Sequence, residues 1–347
     1  MFYIQESFCI SSQQTYKHVD LASYLVPSGN KFAVIEPVYE EIPEKLLRRM
    51  GKAVRLGLGA ALPLIKGGGK PQGIIIGTAN GGMEDCIKFL NQIIEYDEGM
   101  LTPTNFVQST ANAVAGQIGM LLHNNDYNIT HVHRGHSFEN AIIDAAMLLA
   151  ERKNDQLLLG AVDEISAYNY NIDQLAGWFK PANVQGKDIY TINTAGSFAG
   201  EGSAMFYVSN ENRKDSVKLE ALTTITTPAL SKVKDSFKEF LDTNDLNRHP
   251  PDIFFSGENG DSRFLPFYNS CEEILPHHTP VARFKHISGE FATASAIALW
   301  LACYILRNQN VPDHMWKANP VTRFKKVLIY NNHKGLQHSF ILCKVDQ

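Results

Sequence analysis

Four short runs are apolar at nearly every position: GIIIG at Gly73–Gly77, QLLLGA at Gln156–Ala161, DIFF at Asp252–Phe255 and VLIY at Val327–Tyr330. A strand with one wet face alternates apolar and polar side chains, so runs without alternation must be covered on both faces. The segments between them have the longer period of helices: Glu44–Leu64, Met83–Tyr96, Ala111–Leu122, Ser137–Arg152, Leu230–Leu241 and 289–306. Asn128–Val132 and Lys218–Thr226 complete the expected strands. Buried strands alternating with helices predict an α/β fold with helices packed on both faces of the sheet.

The order of elements recurs along the chain. GIIIG enters the loop TANGG and DIFF enters SGENGD; the strand and helix around 130–150 are echoed by Arg283–Ile287 and the apolar helix after it; QLLLGA is echoed by VLIY. This predicts two similar halves, residues 1–215 and 216–347, related by an internal duplication. The run Phe291–Leu306 is rich in Ala, Ser and Thr. It is shorter than the roughly 20 residues of a spanning helix, so it reads as a buried core helix and no membrane insertion is expected. MFYIQESFCI has no basic leader, and Gln5 and Glu6 break its apolar run, so it does not read as a signal peptide. Five scattered cysteines, none at metal or redox spacing, argue for a reducing compartment and a cytoplasmic protein. With 32 Lys+Arg against 36 Asp+Glu, the net charge of −4 argues against nucleic acid as the main partner.

The segment richest in chemistry is NITHVHRGHSFENAIIDAAMLLAER, Asn128–Arg152. It reads as strand, Gly-centred turn, helix, a geometry that exposes one side chain where free backbone N–H groups stabilise an oxyanion. Gly135-His136-Ser137-Phe138 resembles the start of a G-x-S-x-G elbow with Ser137 as nucleophile and His133 or His136 as base, but Glu139 stands where the closing Gly belongs. The simpler reading of Ser137 is a helix cap. His131, His133 and His136 form H-x-H-x-x-H without a convincing fourth ligand, so no metal is expected, nor a cofactor. Lys45, Arg48, Arg49 and Lys52 fall at i, i+3, i+4 and i+7, one basic stripe on a helix that an acidic protein could use.

Several longer stretches, in order, resemble the β-ketoacyl synthase family of the thiolase superfamily: GIIIGTANGGMED, LTPTNFVQSTANAVAGQIGMLL, LLLGAVDEIS, GSFAGEGSAMFYVS with Glu201 and Gly202, and KHISGEFATASAIAL with Lys285, Gly289 and Ala294. The resemblance implies a thiolase-like fold, two similar α/β halves forming five αβαβα layers. It also implies a cysteine nucleophile and two histidines. The cysteine position falls on Gly135, the first histidine on Ser256 and the second on Glu290, while the family's lysine is present as Lys285. The Gly-rich gating loop near the C-terminus is replaced by NNHKGLQHS, Asn332–Ser339.

A chain without the thiolate and imidazoles cannot run decarboxylative condensation by the family's route. The pattern resembles the chain-length-factor branch, in which a degenerate subunit pairs with an active ketosynthase and limits chain growth in fatty-acid, polyketide or aryl-polyene-type pathways. The implied partners are an active ketosynthase or a second copy, and an acyl carrier protein docking on the basic stripe. The Pro103–Leu122 region and Asn128–Val132 would lie at the dimer contact. Two alternatives remain open: an acyl-thioester hydrolase or acyltransferase using Ser137, and a noncatalytic homodimer that binds an acyl chain or carrier.

Overall fold

The computed structural model describes residues 1–27, 29–153 and 155–345. The first half runs β1 (Phe2–Ile10), β2 (Lys31–Phe32), α1 (Glu44–Leu47), α2 (Lys52–Gly68), β3 (Gly73–Gly77), α3 (Met83–Glu95), α4 (Pro103–Gln108), α5 (Ala113–Leu121), β4 (Tyr127–His131), α6 (Ser137–Glu151), β5 (Gln156–Asp163), α7 (Ala167–Leu175), β6 (Ala199–Gly200) and β7 (Gly202–Ser209). The second runs β8 (Val217–Thr226), α8 (Leu230–Thr243), β9 (Ile253–Ser256), α9 (Leu265–Ile274), β10 (Val281–Arg283), α10 (Lys285–Ser288), α11 (Ala294–Asn308), β11 (Trp316–Ala318), β12 (Lys326–His333) and β13 (Gln337–Lys344).

The strand order β1-β7-β5-β3-β4 is repeated by β8-β13-β12-β9-β10, with β11 added at the far edge. The pairings repeat as well. β3 is parallel to both β5 and β4, and β9 is parallel to both β12 and β10. The outer pairs β1–β7, β5–β7, β8–β13 and β12–β13 are antiparallel. Three residue pairs between β1 and β8, Phe2 with Leu219, Tyr3 with Lys218 and Ile4 with Val217, join the two sets into one sheet.

The unalternating runs are explained by what covers them. Ile74 and Ile76 of β3 face a cluster with Leu56 and Ala60 of α2 and Val114 and Ile118 of α5, while Ile75 faces the opposite way onto α6. In the second half Phe254 and Leu328 meet Phe237 of α8 and Tyr268 of α9, while Phe255 and Ile329 turn inward. The inward faces of both halves share one core with α6 and α11. The layers are therefore α2/α5, the first half's strands, α6/α11, the second half's strands, and α8/α9. α11 lies between the two sets of strands, which is why its apolar residues show no wet face: 12 of its 15 residues are buried.

Two expected helices differ from the structure. The helix expected over Glu44–Leu64 is broken between α1 and α2, because Gln108 holds the break. Its Nε2 donates to Arg49 O, and its Oε1 accepts from Gly51 N at 2.5 Å. The helix expected over 289–306 starts at Ala294; before it, Gly289 at φ +67° packs against Gly200, which leaves no room for a Cβ on either.

One acid sits in the central layer. Glu139 of α6 is fully buried and accepts from Ser339 Oγ at 2.8 Å. Burial pushes its pKa up to about 7 from 4.5, against the hydrogen bonds of Ser339 and Ser295. The native state then binds this proton more tightly than the unfolded chain. The stability it contributes is full below about pH 4.5 and is lost as pH rises through about 7. Glu139→Gln, which stays neutral, is expected to raise the melting temperature at pH 8 and to lose that advantage at pH 4.5. The limit is roughly 3 kcal/mol, read from urea titrations at both pH values.

Candidate functional site

The ends of β5, α6, β12 and the segment before α11 converge on one cavity of about 500 Å³. Asp163, the last residue of β5, organises its upper wall. One carboxylate oxygen accepts from Thr78 Oγ1, Ala79 N and Asn80 N at 2.9–3.0 Å, and the other from Thr293 Oγ1 at 2.8 Å. This one buried acid fixes the TANGG loop and the start of α11 together. Glu201 clamps the neighbouring wall, accepting from Val34 N, Ile165 N and the Lys52 ammonium.

At the elbow, Gly135 is buried in a 3₁₀ turn that leads into α6. Its N–H donates to Gln337 Oε1 at 2.9 Å. A Cβ placed on Gly135 would lie 2.4 Å from His333 Cβ and 2.7 Å from His333 Cγ. The space a nucleophile would need is filled by His333, and the N–H that would stabilise an oxyanion is already taken by Gln337. Both come from the NNHKGLQHS segment, which forms the β12–β13 hairpin around a turn with Lys334 and Gly335 at φ +54° and +67°. Asn332 Oδ1 closes that turn on Gly335 N at 2.8 Å. Lys334 ties the hairpin to α7 through Asp173 at 2.8 Å and lies over the Trp178 ring.

Glu290 reaches the cavity from the segment before α11. Its backbone is fixed by Glu290 N to Phe198 O and Gly200 N to Glu290 O, at 2.7 and 2.9 Å. Its Oε2 meets Lys285 Nζ and Asn259 Nδ2, each at 2.9 Å. Burial opposes ionisation, but the Lys285 ammonium and His333 outweigh it and hold the carboxyl at about 2. Lys285 has no exposed side-chain surface, so this is a buried ion pair whose two members depend on each other. His333 Nδ1 stands 3.6 Å from Glu290 Oε1.

The structure places Lys285 against Glu290, and Gly135 against His333, which faces Glu290; of Gly135, Ser256, Lys285 and Glu290 it is Glu290 that lines the cavity. Ser256 ends β9, fully buried, and does not line the cavity; from the SGENGD loop it is Asn259 that reaches Glu290. Glu290 is not at the helix N-terminus, since α11 begins four residues later. The N-cap of α6 is His136, and its first residue is Ser137. Its hydroxyl donates to Arg134 O at 2.8 Å and accepts from His133 N at 2.7 Å, and its residue is fully buried. His136 hydrogen-bonds His338 O, and burial pushes its pKa down to about 4. His133 Nδ1 meets Asn140 Nδ2, and His131 meets Asp144. Among the described residues no hydrogen bond links the Ser137 hydroxyl to an imidazole, and no cluster of three or more His, Cys, Asp or Glu side chains suits a metal ion.

The basic stripe is also divided. Lys45 and Arg49 are exposed, Arg48 pairs with Glu44, and Lys52, across the helix break, is held by the buried Glu201. The residues that sequence reading missed are His333, Gln337, Asn259 and Asp163. Only the departure of NNHKGLQHS from a Gly-rich loop pointed towards the first two.

The packing at Gly135 gives a direct test. Gly135→Cys is expected to lower the melting temperature by several degrees and to leave the new thiol unreactive. Adding His333→Gly is expected to recover the melting temperature and to expose the thiol to iodoacetamide. Intact-protein mass spectrometry against the parent chain, which has five free cysteines, reads the difference.

Residues 28–179 match the β-ketoacyl synthase N-terminal domain family. A search of curated proteins finds no match. Among solved structures, a chain of the ketosynthase (ApeO) in complex with its chain length factor (ApeC) from Xenorhabdus doucetiae aligns with a TM-score of 0.77. It is 14% identical, over 99% of this chain and 98% of that one. A β-ketoacyl synthase from Burkholderia phymatum STM815 aligns at 0.76 and 13% identity, over 100% and 99%. A type II polyketide ketosynthase in complex with its acyl-carrier protein (AntDE:AntF) aligns at 0.75 and 13%, over 99% of each chain. Residues 28–179 thus match that family's model, and the chain shares the fold of these solved ketosynthases along nearly its whole length.

Proposed function

We propose that this chain is the non-condensing subunit of a ketosynthase pair, a chain-length factor that works beside an active ketosynthase on acyl chains delivered by an acyl carrier protein. The observation that carries the reading is the filled seat at Gly135. The fold is kept through all five layers, while the nucleophile is absent, its space holds His333, and its N–H is engaged by Gln337. The ionised Glu290 adds a second obstacle to condensation. A carboxylate anchored by Lys285 and Asn259 presents negative charge where the reaction needs a donor to an oxyanion. The Xenorhabdus complex pairs a ketosynthase with its chain length factor, and the AntDE:AntF complex holds an acyl-carrier protein with its ketosynthase.

The pairing surface in this reading is the β4 edge. β4 is the terminal strand of the sheet, bonded only to β3. Its free edge is flanked by exposed apolar side chains: Phe106 of α4, Met120 of α5, Val132, and Ile143 and Met147 of α6. An unpaired edge with an apolar surround is a hazard in a monomer and an asset at an interface. Carrier docking narrows to Lys45 and Arg49, the stripe residues whose side chains have no ion-pair partner among the described residues. The two repeating sets of strands support dividing the chain at residues 215 and 216. No described helix is long and apolar enough to cross a membrane, and the cysteines are unpaired, which fits the cytoplasmic setting proposed for such a pair.

Co-expression with an active ketosynthase, followed by purification through a tag on this chain, is expected to yield a one-to-one complex. That complex should elongate malonyl-carrier substrates, while this chain alone should not. Recovery of a homodimer alone, or condensation by the isolated chain, would overturn the proposal. Ser137→Ala is expected to leave the complex's activity within about twofold, whereas a hydrolase using Ser137 would lose thioester cleavage. Val132→Arg is expected to shift the complex to separate subunits in size-exclusion chromatography with light scattering, because a charge at a buried apolar contact costs several kcal/mol.

A further inference from the structure

One backbone position at the cavity is strained. Arg134 holds φ +50°. A residue with a Cβ enters that left-handed region at a cost glycine does not bear. Positions held there by other residues cluster at ligand and active sites.

The fold gives the Arg134 side chain no partner. Arg134 lines the cavity and is exposed, and its guanidinium makes no hydrogen bond, ion pair or ring contact among the described residues. Every other acid and lysine of the lining is engaged. Lys334 pairs with Asp173, and Glu290 with Lys285. Asp163 accepts from four donors, and Glu164 accepts from Ala53 N. One cation is left over, where the cavity opens to solvent.

The chemistry of that cation selects the ligand group. A guanidinium presents a planar fork of N–H donors that matches a carboxylate or a phosphate. The charge balance of the lining favours the carboxylate. One unpaired positive charge matches one negative charge. A phosphate monoester carries about −1.5 to −2 near neutral pH, and its excess would face Glu290 and Asp173 with no further cation to meet it. Burial holds Glu164 at about 7, so near neutral pH it opposes a monoanion only in part. The rest of the lining asks for an apolar body. Tyr170, Trp178, Phe179 and Phe291 line the cavity, and Ile172 and Leu336 line it with exposed apolar surface for a ligand to cover. A volume of about 500 Å³ suits a small molecule.

We propose that this cavity binds a free monocarboxylate with an apolar body, such as a medium-chain fatty acid, and that Arg134 grips its carboxylate while the body lies against the aromatic and aliphatic lining. The inference does not rest on the chain-length-factor reading, and pairing with a ketosynthase is measured separately by co-purification.

The test is isothermal titration calorimetry on the purified full chain with octanoate, octanamide and octyl phosphate. Octanamide keeps the chain and the shape of the head group but not its charge. Octanoate is expected to bind about tenfold more tightly than octanamide, the scale of a charge-assisted hydrogen bond, and more tightly than octyl phosphate. Arg134→Gln is expected to erase the preference for octanoate and leave the octanamide affinity unchanged. Arg134→Lys, which keeps the charge without the fork, is expected to retain only part of the preference. Arg134→Gly relieves the backbone, and is expected to raise the melting temperature while it erases the same preference. Equal affinity for octanoate and octanamide overturns the proposal, as does a preference that survives Arg134→Gln, or tighter binding of octyl phosphate. A lower melting temperature for Arg134→Gly would mean that the arginine is held there for the fold, and that outcome overturns it too.

Discussion

The structure depends on two helices that share one core. α6 and α11 are covered on both sides by strands, and their apolar residues belong to a single cluster with the inward faces of both halves. Neither half could expose that surface to water; at about 25 cal/mol per Å² of apolar area, the joint core dominates the energetics. The shared layer also explains where the site is. α6 begins at the elbow after Arg134, and α11 begins just after Glu290, so packing the two helices side by side brings residues 134 and 290 to one cavity.

Once that convergence is fixed, small local choices decide what the cavity can do. A glycine at 135 leaves room for His333, and His333 then excludes a side chain there. Gln337 occupies the Gly135 N–H from the same hairpin. Lys285 compels an acid partner, since an unpaired buried ammonium would be costly, and Glu290 supplies it. These local arrangements are mutually supporting: the hairpin is tied by Asn332 and Lys334, and the acid by Lys285 and Asn259.

Much of this was legible along the chain. The unalternating runs at Gly73–Gly77, Gln156–Ala161, Asp252–Phe255 and Val327–Tyr330 announced strands covered on both faces, and each is a strand of the sheet. The order of elements announced a repeat, and the strand order and pairings repeat. Gly135, Lys285 and Glu290 each sit in a local motif of fixed spacing, and the structure places Lys285 against Glu290. Other residues were not legible for a physical reason. The Gly135–His333 and Gly135–Gln337 contacts join positions about two hundred apart, and nothing in either local pattern refers to the other. Loop spacing placed the first histidine position on Ser256, and nothing in that spacing says that Asn259 is the residue of SGENGD that reaches Glu290. Lys52 read as part of a surface stripe because its partner, the buried Glu201, lies far away in sequence.

The sequence by itself determined the layers, the repeat and the absence of a cysteine at the elbow, because these follow from local periodicity and residue identity. Only the tertiary structure decided that His333 fills the space beside Gly135, that Gln337 engages the Gly135 N–H, and that Lys285 and Asn259 hold Glu290. Those properties belong to side chains from separate elements, and packing alone brings them within hydrogen-bond distance.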